Sequence, residues 1–178
     1  MLRVLAAVLL VVLAAAGCAD APVTPPVPDP TSADAGFVGG MVPHHEQALE
    51  LTAMVGGRGA SPGLEAIALR IDRDQVEEIG QLQGLALARG LPAVHAHTMS
   101  GMAAPETVAR LRELRGPDFE RLWLDTMITH HEGALAMARD YLATGRDDTL
   151  RRYAEVLLAA QSGEITTMRR LGTSIAGP

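Results

Sequence analysis

Shifted by 86 positions, the 178-residue chain lies over itself without a gap. Met41-Val42-Pro43-His44-His45-Glu46-Gln47-Ala48-Leu49 falls on Met127-Ile128-Thr129-His130-His131-Glu132-Gly133-Ala134-Leu135. Further on, Gln75-Val76-Glu77-Glu78-Ile79 falls on Gln161-Ser162-Gly163-Glu164-Ile165. Residues 37–86 and 123–172 share 13 identities in 50, most of them in these two stretches, which marks one unit used twice. Two copies are too few for a solenoid, which needs about three.

Each copy reads as a helical hairpin. Phe119, Trp123, Met127, Ala134, Met137 and Tyr141 recur at helical spacing and predict a helix over about 117–144. Leu150, Ala154, Leu157, Leu158, Ile165, Met168 and Leu171 predict another over about 147–172. The first copy gives helices over about 36–55 and 62–89, and Pro105 to Leu114 gives a short connecting one. Gly56-Gly57 stops the first helix, and Ser61-Pro62 supplies an N-cap and a proline at the first helical position of the second. Gly116-Pro117 and Gly145 punctuate the second copy in the same manner, and no alternating run suggests a strand. The fold class is therefore all-α. A hairpin cannot bury its apolar face alone, so the two are expected to pack as a pseudo-two-fold four-helix bundle over residues 37–178, with a loop over 90–104 between repeats 37–86 and 123–172.

Composition narrows the function. With 48% hydrophobic and 20% charged residues the chain is no disordered polymer, and a net charge of −6 offers no basic footprint for nucleic acid. One cysteine rules out an internal disulfide and every cysteine-based zinc or redox pair.

The first eighteen residues read as an export signal: a positive start at Arg3, an apolar run from Val4 to Leu13, then Ala14-Ala15-Ala16-Gly17-Cys18. The run is short for a membrane span. Ala16-Gly17-Cys18 resembles a bacterial lipobox in which Cys18 is lipidated, with Ala15 standing where leucine is usual; plain cleavage among the alanines is the alternative. Residues 19–36 carry Pro22, Pro25, Pro26, Pro28 and Pro30 and read as an extended tether. Together they predict a domain outside the cytoplasm, in the cell envelope, held to the membrane by a lipid anchor.

On a helical wheel His130 falls in the middle of the apolar face of its helix, His131 at its border, and Glu132 toward solvent. Gln161 lies at the centre of the next helix's apolar face and Glu164 at its edge; the repeat puts His44, His45, Gln75 and Glu78 in the same places. Buried histidine or glutamate without a partner costs several kcal/mol, on the order of the penalty for any unpaired polar group, so these side chains have to meet in one polar layer. Two readings compete. One is a hydrogen-bond network that fixes helix register. The other is a transition-metal site, since imidazole and carboxylate suit such ions and bundle cores often hold them. Neither histidine pair has the Glu-x-x-His neighbour of di-iron carboxylate bundles, and His45-Glu46 is followed by Leu49 where a zinc protease needs its second histidine.

The joining loop holds His95-Ala96-His97-Thr98-Met99-Ser100-Gly101-Met102. Thioethers are soft ligands suited to Cu(I), and imidazole takes Cu(II). The alternative is that Met99 and Met102 dock the loop while His95 and His97 are solvated. No serine or threonine sits in a nucleophile elbow.

The doubled Met-Val/Ile-x-His-His-Glu-x-Ala-Leu, each followed by Gln-x-x-Glu-Ile, resembles the bacterial family called domain of unknown function 305, over about residues 37–172. The resemblance includes the His/Met loop and the stretch from Gly116 to Phe119. It implies a ferritin-like four-helix bundle, exported and often a lipoprotein, with some members tied to copper in the cell envelope. Its signature residues map onto His44, His45, Gln75, Glu78, His130, His131, Gln161 and Glu164. Thr129 in place of the first copy's Pro43, and a loop with fewer methionines than the richest members, depart from the pattern.

The expectation is an extracytoplasmic protein that binds a transition-metal ion, copper first, for sequestration or transfer. His44, His45, His130 and His131 are the core ligand candidates. Glu78 and Glu164 are ligands or partners that orient the imidazoles, with Gln75 and Gln161 behind them. His95, His97, Met99 and Met102 form an outer, softer site. The rival is a metal-free envelope protein with a structural polar core and a protein partner the sequence does not identify. A redox enzyme is a third reading, and no residue names a substrate.

Overall fold

Ser61 accepts the Leu64 N–H on its Oγ at 3.2 Å, and 86 positions later Asp147 accepts the Leu150 N–H on Oδ1 at 2.8 Å. Each side chain satisfies an orphan donor of a helix's first turn. Capping of this kind fixes where these two helices begin. The computed structural model describes residues 32–92 and 99–175. They contain five α-helices: α1 Ala33–Ala53, α2 Pro62–Arg89, α3 Pro105–Glu113, α4 Gly116–Thr144 and α5 Asp148–Ile175. Among the described residues there is no strand. The export signal, Cys18 and most of the proline-rich stretch lie outside the described residues, as do His95 and His97.

The expected helices are all present. The one shift of consequence is at the first, which begins at Ala33 rather than 36, inside the stretch assigned to the tether. Ser32 is its N-cap, accepting from the Ala35 N–H at 3.2 Å, and Asp34 sits in the first turn. No helix among the described residues is long and apolar enough to cross a membrane.

The helix α1 packs on α2 and α4, and α5 packs on α4 and α2, while α3 rests against α4. Contacts between α1 and α4 run antiparallel. Phe37 stacks on Tyr141 with ring centroids 4.3 Å apart, His44 meets His130, and the Trp123 indole N–H donates to the Leu51 carbonyl at 2.8 Å. Burial follows the 86-residue offset: Met41 and Met127, Ala48 and Ala134, Leu64 and Leu150, Gln75 and Gln161, Leu82 and Met168 are buried pair by pair.

The core is split in two. One apolar cluster gathers Leu51, Leu64, Ile71, Phe119, Trp123, Met127 and Met168. The other gathers Phe37, Met41, Leu82, Ala134, Tyr141, Leu150 and Leu157. Every long helix crosses from one cluster to the other through polar residues. On α1 these are His44 and His45 between Met41 and Ala48, and on α2 they are Gln75 and Glu78 between Ile71 and Leu82. On α4 they are His130 and His131 between Met127 and Ala134, and on α5 Gln161 and Glu164 between Leu157 and Met168.

Candidate metal centre

That layer is buried to a degree that few polar residues reach. His44, His45 and His131 are 0% exposed, His130 is 1%, and the two glutamines are 2%. Polar groups are taken this far from water only where partners compensate the lost hydration.

The adjacent histidines of each pair do different jobs. His45 Nε2 lies 2.8 Å from Glu78 Oε2, close but not aligned as a hydrogen bond. At the equivalent place His131 Nε2 donates to Glu164 Oε2 at 2.9 Å. The carboxylates therefore sit on imidazoles of their own hairpins, in the place of partners that orient a ring. Gln161 Nε2 reaches across to Glu78 Oε2 at 3.5 Å, and Arg70 stands 3.6 Å from Glu164, so the two halves are tied together through α2 and α5.

His44 and His130 turn toward each other instead. Their ring centroids are 3.8 Å apart, whereas His44 to His45 and His130 to His131 are each 6.3 Å. Burial holds His44 well below the usual imidazole range, at about 4, with the neighbouring His45 adding to the effect. Burial also lowers His130 well below its ordinary value, and His44 lowers it further. Both rings are thus neutral at neutral pH. His44 Nε2 donates to the Ser100 carbonyl at 3.0 Å, which leaves its Nδ1 as a lone pair; that atom is buried and has no hydrogen-bond partner. His130 Nε2 and His131 Nδ1 are likewise buried and unpartnered.

A buried imidazole with one nitrogen on an oxygen acceptor and the other bare is the arrangement a metal ligand takes before the ion arrives. The donor set fits in that respect. In another it is incomplete: among the described residues no three His, Cys, Asp or Glu side chains are placed to hold one ion together. Met99 and Met102, both half-buried, flank the Ser100-Gly101 turn that His44 touches. The thioether end of the candidate set therefore lies on the loop that contacts His44.

Sequence reasoning missed Ser100, whose contribution is a backbone carbonyl, and Gln47, whose amide bonds the Ala103 backbone twice, at 2.7 and 3.0 Å. It missed Gly133 as well. A signal for the last two exists, since they occupy the same position of the doubled motif and differ.

The family model described as domain of unknown function (DUF305) matches residues 34–172. The chain belongs to the DUF305 family. A DUF305 protein from Streptomyces coelicolor, described as secreted, superposes with a TM-score of 0.77 at 28% identity, covering 83% of this chain and 96% of its own. A DUF305 fragment from Deinococcus radiodurans gives 0.75 at 32% identity, over 84% of this chain and 99% of its own. CopM in its Cu(I)-bound form gives 0.67 at 25% identity, over 81% and 98%. CopM also has an Ag-bound form, at the same 25% identity. No curated protein matches this chain. The fold is thus shared with a protein that has Cu(I)-bound and Ag-bound forms.

Proposed function

We propose that this DUF305 protein binds copper outside the cytoplasm, for sequestration or transfer. In this reading the chain is a ferritin-like bundle of two pseudo-symmetric hairpins, tethered by residues 19–36 to a lipidated Cys18 in the cell envelope. The observation that carries the reading is the pair of neutral imidazoles of His44 and His130, packed with centroids 3.8 Å apart and with bare, buried ring nitrogens. Bare lone pairs in a core cost about 1–3 kcal/mol each, and a bound ion removes that cost. Glu78 and Glu164 hold the outer imidazoles of His45 and His131, with Gln75 and Gln161 beside them. Met99 and Met102, together with His95 and His97, supply the softer donors that favour Cu(I). The Cu(I)-bound and Ag-bound forms of CopM support the choice of ion.

A second reading has one observation in its favour. The His131–Glu164 hydrogen bond, the close His45–Glu78 pair and the lack of a three-ligand cluster among the described residues also suit a structural polar layer. In that case the protein acts through a surface that meets another protein.

A copper titration separates the two. Cu(I) is added to the protein under reducing conditions, the sample is dialysed, and metal content and melting temperature are measured. Stoichiometric retained copper with a raised melting temperature, lost in His44→Gln/His130→Gln, establishes the metal site. Copper that dialyses away with unchanged melting leaves the layer as structural packing.

A further inference from the structure

The loop segment Ser100 to Ala103 is gripped from two sides. On one side Gln47 of α1 donates from Nε2 to the Ala103 carbonyl at 3.0 Å and accepts the Ala103 N–H on Oε1 at 2.7 Å. On the other side the backbone of α4 comes so close that a Cβ on Gly133 would overlap the Ser100 carbonyl oxygen and stand 2.6 Å from Gly101 Cα. Gly101 takes φ +79°, and a Cβ there would lie 2.6 Å from the Thr129 carbonyl oxygen. Between these two grips the Ser100 carbonyl meets His44 Nε2 at 3.0 Å.

Gln47 and Gly133 each stand three residues after the first histidine of their motif copy. Glycine in mid-helix weakens the helix relative to alanine, so its presence at a position where the other copy has glutamine calls for a local reason. The reason is the loop, which lies across both copies at once and can do so only if one side offers a hand and the other a gap.

We propose that Gln47 and Gly133 are positioning residues for His44. Together they press the Ser100 carbonyl onto Nε2, which keeps the ring proton there and leaves the buried Nδ1 as the lone pair presented to a metal ion. The proton cannot sit on Nδ1 while Nε2 faces a carbonyl, because a carbonyl only accepts. Outer partners of this kind set ligand tautomer and basicity in metal sites generally. The proposal rests on the copper reading for its consequence, and on the loop geometry for its cause.

The test has two independent readouts. Long-range proton–nitrogen NMR correlations of the 15N-labelled, metal-free protein report which nitrogen of His44 carries the proton. A titration with Ag(I), a redox-inert stand-in for Cu(I), reports affinity. The native protein is expected to show the Nε2–H form. Gln47→Ala and Gly133→Ala are expected to mix the two tautomers and weaken Ag(I) binding by about 10–100-fold, the usual effect of removing such a partner. Gln47→Glu, which keeps the acceptor for the Ala103 N–H, should fall between. Gly133→Ala adds helix propensity to α4 while its Cβ displaces the Ser100 backbone, so native circular dichroism is expected and shows that the helices persist in the variant.

Variants that keep both the native tautomer and native affinity overturn the proposal, while native Ag(I) uptake leaves the copper reading standing. A tautomer that changes without a change in affinity overturns it too. If the native protein takes up no Ag(I), the copper reading falls and the positioning role falls with it.

Discussion

His44 shows what burying an imidazole costs the fold. Its ring titrates near 4 in the fold, chiefly because it is buried, against an ordinary value of 6.5. Above pH 6.5 the ring is neutral whether the chain is folded or not, and stability is unaffected by it. Between 6.5 and 4 the unfolded chain takes up a proton that the folded one refuses, so stability falls as pH falls, and it levels off below 4. A shift of this size corresponds to on the order of 3 kcal/mol. His130 is shifted in the same direction and adds to the slope. Urea denaturation of the metal-free protein should therefore show a midpoint falling from pH 6.5 to 4, and His44→Gln should flatten part of that fall. An unchanged slope in the variant would mean the ring is solvated. Trp123 poses a different single-residue question. Its indole N–H donates to the Leu51 carbonyl at 2.8 Å from a fully buried position. Trp123→Phe removes that bond and leaves a gap in the larger apolar cluster, so a loss of about 1–3 kcal/mol is expected in the same assay.

At the scale of elements, helix ends and glycines make separate predictions. Ser61 caps α2 through the Leu64 N–H while its own Oγ and N–H donate to the buried Glu120 carboxylate at 2.5 and 2.9 Å. Ser61→Ala removes the cap and leaves one carboxylate oxygen short of a donor. A cap alone is worth about 1 kcal/mol, and the unsatisfied carboxylate adds to it, so the loss by thermal melting should exceed that of an ordinary cap. Gly80 offers the opposite sign. It lies mid-helix in α2 with open space where a Cβ would stand, so Gly80→Ala should stabilise by about 0.5–1 kcal/mol. A destabilised variant would mean something covers that face.

These elements were readable because their signals are local: apolar spacing gives the helix, and Gly-Gly, Ser-Pro and Gly-Pro pairs give its ends. The proline-rich composition up to Pro30 masks the start of α1: composition puts it at about 36, whereas Ser32 as N-cap and Asp34 in the first turn put it at Ala33. The polar layer was readable for a related reason, as histidine, glutamine and glutamate break an apolar face. Which histidine meets which was not readable. The pairing of His44 with His130 depends on how α1 lies against α4, and that of the outer rings with their carboxylates on how α1 lies against α2 and α4 against α5, and no single helix carries that information. The Ser100 carbonyl left no trace at all, because every residue has one.

The whole molecule joins two apolar clusters across a layer whose central pair, His44 on α1 and His130 on α4, comes from different halves of the chain. An ion held by that pair would link the halves, so binding should appear as global stability rather than a local change. Ligand at 100 times its dissociation constant adds about 2.7 kcal/mol. For a domain of this size about 1 kcal/mol moves the melting temperature by 2–4 °C, so a rise of about 5–10 °C is expected with Cu(I) or Ag(I). The metal-free protein offers the sharper contrast. If the bare ring nitrogens exist for an ion, then without it they are a burden, and His44→Leu/His130→Leu should melt at or above the native metal-free temperature while losing the metal-dependent rise. If the layer is instead a satisfied network that fixes helix register, the same double variant leaves partners stranded in the core and melts lower, by the several kcal/mol, on the order of 3–5, that breaking a buried polar pair costs. Differential scanning calorimetry of the native and double-variant proteins, each with and without Ag(I), reads both quantities at once. The sign of the metal-free difference decides whether this layer was shaped for packing or for cargo.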